Sequence, residues 1–184
     1  MIDLLLAMML SNKTEVAEEI KSEPEESVKI EQQYPCNNCV YITNSEPALD
    51  NSYNSQGNYM YLTNVIIDRK ATVFLTLSGR ANTQSLDRNV ANEGAPSPNG
   101  EYTIGSLTNG LHSETGGVFI PYEPNFETER SALGFHIDPS WGLTNGEDGT
   151  IGCHAFFSEK QFTDFLTLIQ DNNINKLIID YEKT

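Results

Sequence analysis

Cys153 stands in the run Asp148-Gly149-Thr150-Ile151-Gly152-Cys153-His154, where small residues let backbone and a substrate come close to the sulfur. A thiol so placed is a nucleophile once ionised, and ionisation calls for a neighbouring imidazole or an electropositive pocket. His136 ends the apolar run Ala132-Leu133-Gly134-Phe135, so a strand there would carry it rigidly into a site, and it is the leading candidate base. His154 is the weaker one, because side chains adjacent along extended backbone point to opposite faces. In an arbitrary protein a lone Cys and a lone His would more often be packing residues. The other two of the three cysteines form Cys36-Asn37-Asn38-Cys39, the spacing of half a zinc site or of a redox pair. The second ligand pair that would make zinc specific is absent. A local disulfide, two separate thiols, and a zinc site recruiting His112, His136 or His154 all remain open readings.

The elements that must position these residues are mostly strands. Residues 62–68 and 71–77 are β-rich runs separated by Arg69-Lys70, and Ser78-Gly79 closes the second, which predicts a hairpin. Residues 101–104, 117–120, 133–137 and 176–181 read as further short strands among Gly, Pro and Asn turns. One helix is expected in this part, starting at the cap Ser158, with Phe162, Phe165, Leu166 and Ile169 on one apolar face. Upstream, residues 2–21 read as a packing or oligomerisation helix, with an apolar first half and Val16, Ala17 and Ile20 continuing one face. The sequence thus divides into a helix with an acidic segment over 1–33, a loop-rich connector over 34–58 and a mainly β domain over 59–184. No internal repeat is visible.

The order of four motifs resembles the catalytic domain of the L,D-transpeptidase family. Val65-Ile66-Ile67-Asp68 with Ala71-Thr72-Val73-Phe74-Leu75-Thr76-Leu77 is similar to the family's first hairpin, and Ala95-Pro96-Ser97-Pro98-Asn99-Gly100-Glu101-Tyr102-Thr103-Ile104 to its "TPTGxFxI" stretch. Gly134-Phe135-His136 resembles the family's histidine segment, and Thr150-Ile151-Gly152-Cys153 its "S/T-x-G-C" nucleophile motif. Two positions depart from the pattern: Ile137-Asp138 follows the histidine in place of Gly, and His154-Ala155 follows the cysteine in place of an aliphatic residue and Arg. These departures resemble a divergent, phage- or effector-like branch. The resemblance implies a β-sandwich or barrel with one C-terminal helix, Cys153 as nucleophile and His136 as base. It also implies oxyanion donors on the backbone of Gly152 and Cys153, support from Thr150, Asp138 and His154, and no cofactor or metal. The implied substrates are peptidoglycan stem peptides, cross-linked or trimmed through a Cys thioester. A rival reading is a non-enzymatic structural or wall-binding subunit of a large assembly that keeps the fold.

Charge narrows the partners. The formal net charge of −15 repels nucleic-acid phosphate and anionic membrane surfaces. Seven glutamates lie between Asn12 and Gln33, a solvated or partner-binding run. With the apolar helix before it, that run makes residues 1–33 the expected contact with a protein partner or a second copy. No stretch reaches the 18 or so apolar residues of a membrane span. The opening Met1-Ile2-Asp3-Leu4 carries an acid where a secretory signal carries base, so no clear signal peptide is read. The expected location is extracytoplasmic, in the wall or periplasm, or on a phage virion.

Overall fold

The computed structural model describes residues 33–45, 53–109, 117–141 and 148–181. The helix expected over 2–21, the acidic run behind it and His112 lie outside the described residues. In chain order the elements are β1 (Cys39–Asn44), β2 (Met60–Ile67), β3 (Lys70–Leu77), β4 (Gly100–Ile104), β5 (Thr108–Asn109), β6 (Val118–Pro124), β7 (Gly134–Ile137), β8 (His154–Phe156), α1 (Glu159–Asp171) and β9 (Lys176–Ile179). The stretch read as a connector therefore supplies a strand, β1.

Eight strands close into a barrel in the order β4-β9-β1-β2-β3-β8-β7-β6, and β6 returns to β4, while β5 pairs with another part of β6. Most neighbours are antiparallel; β1 with β9 and β7 with β8 are parallel. The expected hairpin of β2 and β3 turns through two residues, Asp68 and Arg69, both with positive φ (49° and 62°). Left-handed conformation at both central positions is the turn that follows the natural strand twist.

Side-chain alternation decides what fills the barrel. Val40 and Ile42, Tyr61 and Val65, Tyr102 and Ile104, Ile120 and Tyr122, and Leu177 and Ile179 are each two or four residues apart and share one core with Phe74, Phe135 and Phe156. Helix α1 adds Phe162, Phe165 and Ile169 to it. The Phe165 ring lies 4.8 Å from both Phe135 and Phe156 and 5.8 Å from Phe74, so one side chain ties the helix to three strands. Burial of one such ring contributes about 2–3 kcal/mol. Ser158 caps the helix by accepting a hydrogen bond from the Gln161 N–H.

A second, small cluster of Cys39, Tyr41 and Ile66 packs with Tyr34, Cys36, Ala71 and Ile178. Cys36 and Cys39 are joined in a disulfide. That pairing resolves the open reading of the motif, because sulfurs bonded to each other are not thiolate ligands for zinc.

Candidate active site

Parallel pairing of β7 with β8 sets the site. Phe135 lies beside His154, His136 beside Ala155 and Ile137 beside Phe156. Phe135 and Phe156 point into the core, and His154 goes with them, its ring 6.1 Å from that of Phe135. His136 and Ala155 occupy the opposite face. Cys153 comes just before β8, and its thiol lies 3.7 Å from the Ala132 carbonyl at the approach to β7. The sulfur meets the start of β7 at the Gly134 N–H, and the imidazole is carried by the same strand at His136. Two residues of strand separate those positions, about 6–7 Å.

His136 is buried and stacks on Phe119 of β6, the ring centroids 6.3 Å apart. Its Nδ1 lies 2.7 Å from the Ile137 carbonyl oxygen. A carbonyl only accepts, so Nδ1 carries the hydrogen and Nε2 keeps the lone pair that a base needs. Burial lowers the His136 pKa below its ordinary value, against the Ile137 carbonyl and the Asp138 carboxylate, which raise it. The ring is accordingly neutral at pH 7. Burial pushes the Cys153 thiol up to about 11, while the Gly134 N–H, the Arg130 guanidinium and its own N–H pull it down. The resting pair is a neutral thiol and a neutral imidazole, not a preformed ion pair.

The loop that presents Cys153 is fixed from several sides. The Thr150 hydroxyl donates to the Cys153 carbonyl (2.6 Å) and accepts from the N–H groups of Gly152 (3.0 Å) and Gly79 (3.1 Å). One side chain thereby folds the Thr150-Ile151-Gly152-Cys153 turn and fastens it to the end of β3. Asp138 accepts from the Ser140 N–H and hydroxyl with one oxygen and from the Gly149 N–H with the other. It therefore joins the exit of β7 to the entrance of the Cys153 loop. Gly152 has φ 110°, and a Cβ there would run into the Arg130 guanidinium. Only glycine satisfies both demands.

Arg130 and two serines are components the sequence did not mark. The Arg130 side chain is buried and donates to the carbonyls of Ile151 (2.9 Å), Ala95 (3.0 Å), Arg88 (3.1 Å) and Pro96 (3.4 Å). Its fork holds the Cys153 loop against residues 95–96 and brings a positive charge near Cys153. Flanked by Glu129 and Ser131, it reads in sequence as a surface charge. Ser78 and Ser97 both donate to the Gly152 carbonyl, at 2.9 and 2.5 Å. Ser97 lies in the quoted Ala95–Ile104 stretch, but only the fold brings it to residue 152.

The chain gives no match to family models, to curated proteins or to solved structures. The chemistry of the site therefore rests on its geometry. Of the residues singled out from sequence, Cys153, Gly152, Thr150, Asp138 and His136 gather where β7 meets β8, while His154 faces the barrel interior. Among the described residues no group of three or more His, Cys, Asp or Glu side chains is placed to hold a metal ion.

Proposed function

We propose that this chain is a cysteine-nucleophile acyltransferase or peptidase of the L,D-transpeptidase type, acting on peptidoglycan stem peptides. The observation that carries the reading is the neutral His136, its Nδ1 tied to the Ile137 carbonyl and its Nε2 left as acceptor, on the strand whose Gly134 N–H acts on the Cys153 sulfur. Nε2 takes the thiol proton, relayed through one water across the two-residue strand spacing, as sulfur attacks the carbonyl carbon on the L-side of an L,D peptide bond. The C–S bond forms, and the tetrahedral oxyanion is met by backbone N–H groups. The C–N bond then breaks, His136 returns the proton to the departing amine, and D-Ala leaves a thioester on Cys153. Attack by an acceptor amine gives a cross-link; attack by water gives a trimmed stem.

The disulfide between Cys36 and Cys39 supports an oxidising, extracytoplasmic setting, since such bonds persist outside the reducing cytosol. No helix among the described residues is long and apolar enough to cross a membrane. Residues 1–33 are proposed as the tether to a partner or to a larger particle such as a virion. The deciding experiment incubates the protein with purified tetrapeptide muropeptides and identifies products by mass. Release of D-Ala by the wild type and not by Cys153→Ala supports the reading, and no release by either overturns it. A non-enzymatic subunit keeping the fold is the second reading, favoured by the burial that holds the thiol protonated.

A further inference from the structure

The acyl-transfer chemistry leaves His154 unused, although it adjoins the nucleophile and is fully buried among aromatic rings. We propose that Tyr181, His154, Tyr122 and Ser97 form a one-way chain of hydrogen bonds that fixes the Gly152–Cys153 peptide and so aims the Cys153 N–H at the oxyanion. The proposal rests on the acyl-transfer reading and gives that site its positioning residues.

The direction of the chain follows from counting hydrogens. The Gly152 carbonyl can only accept, so the single Ser97 hydroxyl hydrogen is spent on it. The 2.6 Å contact between Ser97 and Tyr122 then requires Tyr122 to donate. With its hydrogen committed, the Tyr122 oxygen accepts from His154 Nδ1 at 3.5 Å. The ring must therefore be the Nδ1–H tautomer, and Nε2 accepts from the Tyr181 hydroxyl at 3.1 Å. Burial, with a smaller contribution from His136, drives the His154 pKa down to about 3, so the ring stays neutral.

Ser78 is the second anchor. Its hydroxyl also donates to the Gly152 carbonyl, and the Ser97 N–H donates to it at 3.2 Å. Two donors thus hold the carbonyl of residue 152 inward. The peptide bond that follows is planar and trans, so the Cys153 N–H points the opposite way. That N–H lies against the Cys153 sulfur. A carbonyl oxygen attacked by this sulfur develops its charge beside the same N–H, which is where a preorganised donor acts.

The test compares two reactions of one thiol. p-Nitrophenyl acetate acylates Cys153 through a tetrahedral oxyanion and releases p-nitrophenolate; iodoacetamide alkylates it by displacing iodide with no oxyanion. Ser97→Ala should lower the ratio of acylation to alkylation about tenfold, less than the 10²–10³ for a whole oxyanion donor because Ser78 remains. A ratio equal to that of the wild type, or an equal fall in both rates, overturns the proposal. An independent readout is the ¹⁵N spectrum of the histidine rings in the full chain, with His154 assigned from the signal lost in His154→Gln. A neutral ring protonated on Nδ1 down to pH about 4 is expected. An Nε2–H tautomer would reverse the chain and overturn it. Both measurements need only the thiol and the ring, so an inactive result on muropeptides would refute the stem-peptide reading and leave this one standing or falling on its own data.

Discussion

At the scale of single residues, the proposed acyl transfer requires the proton to leave the thiol at the moment of attack. A thiol pushed up to about 11 holds little thiolate at pH 7. Below that pKa the thiolate fraction grows tenfold per pH unit. Alkylation of Cys153 by iodoacetamide should therefore keep rising between pH 7 and 10, and a plateau near pH 7 would show an activated thiolate instead. Acyl transfer has a different profile, since His136 must be unprotonated to act as base. Its pKa is lowered, so kcat/KM should lose its acid limb only below about pH 6.5, the ordinary histidine value. His136→Gln should cut acyl transfer at pH 7 at least about 100-fold while leaving Cys153 open to alkylation at pH 10.

At the scale of elements, the loop before β8 depends on residues from four places in the chain. Thr150 and Asp138 are near it in sequence, whereas Arg130 and the serines at 78 and 97 reach it only through the barrel. Arg130→Lys keeps the charge and loses the planar fork, so most of the four carbonyls lose their donor. Each unsatisfied buried group costs about 1–3 kcal/mol. The thermal midpoint should drop by several degrees, and acyl transfer should fall further than the stability loss accounts for; an unchanged midpoint would show that the guanidinium is not holding the loop.

The same contrast explains what the sequence made legible. The hairpin of β2 and β3, strands β4, β6, β7 and β9 and the helix carry alternation or a cap that local physics can read. β1 escaped because both its faces are covered: Val40 and Ile42 enter the barrel while Cys39 and Tyr41 pack under Tyr34 and Cys36. Buried on both sides, it has no polar alternation, and the nearby prolines suggest a loop. β8 has only three residues, all buried. The Cys153 segment was visible through its glycines, but the partners of the Gly152 carbonyl are 55 and 74 residues away. No local pattern encodes contacts of that kind.

At the scale of the whole molecule, the barrel interior holds an imidazole where hydrocarbon would be expected, and the cost appears in acid. His154 has a folded pKa of about 3 against roughly 6.5 in the unfolded chain. Its neutral burial is harmless above pH 6.5. As pH falls from 6.5 toward 3, the unfolded chain binds a proton that the native state refuses, and stability declines by up to about 1.4 kcal/mol per pH unit. At pH 4.5 the accumulated loss is about 2–3 kcal/mol, a large share of the 5–15 kcal/mol typical of a domain. His154→Gln removes the titration and leaves an amide to meet Tyr122 and Tyr181. It should be less stable than the wild type at pH 7, because the amide fits the aromatic cage less well, and should close that gap by about 2–3 kcal/mol at pH 4.5. Urea denaturation of both proteins at the two pH values measures the gap directly, since other groups titrate alike in the two. A gap that stays constant with pH would mean that His154 protonates in the folded state, and with it the neutral chain reaching Gly152 would be lost.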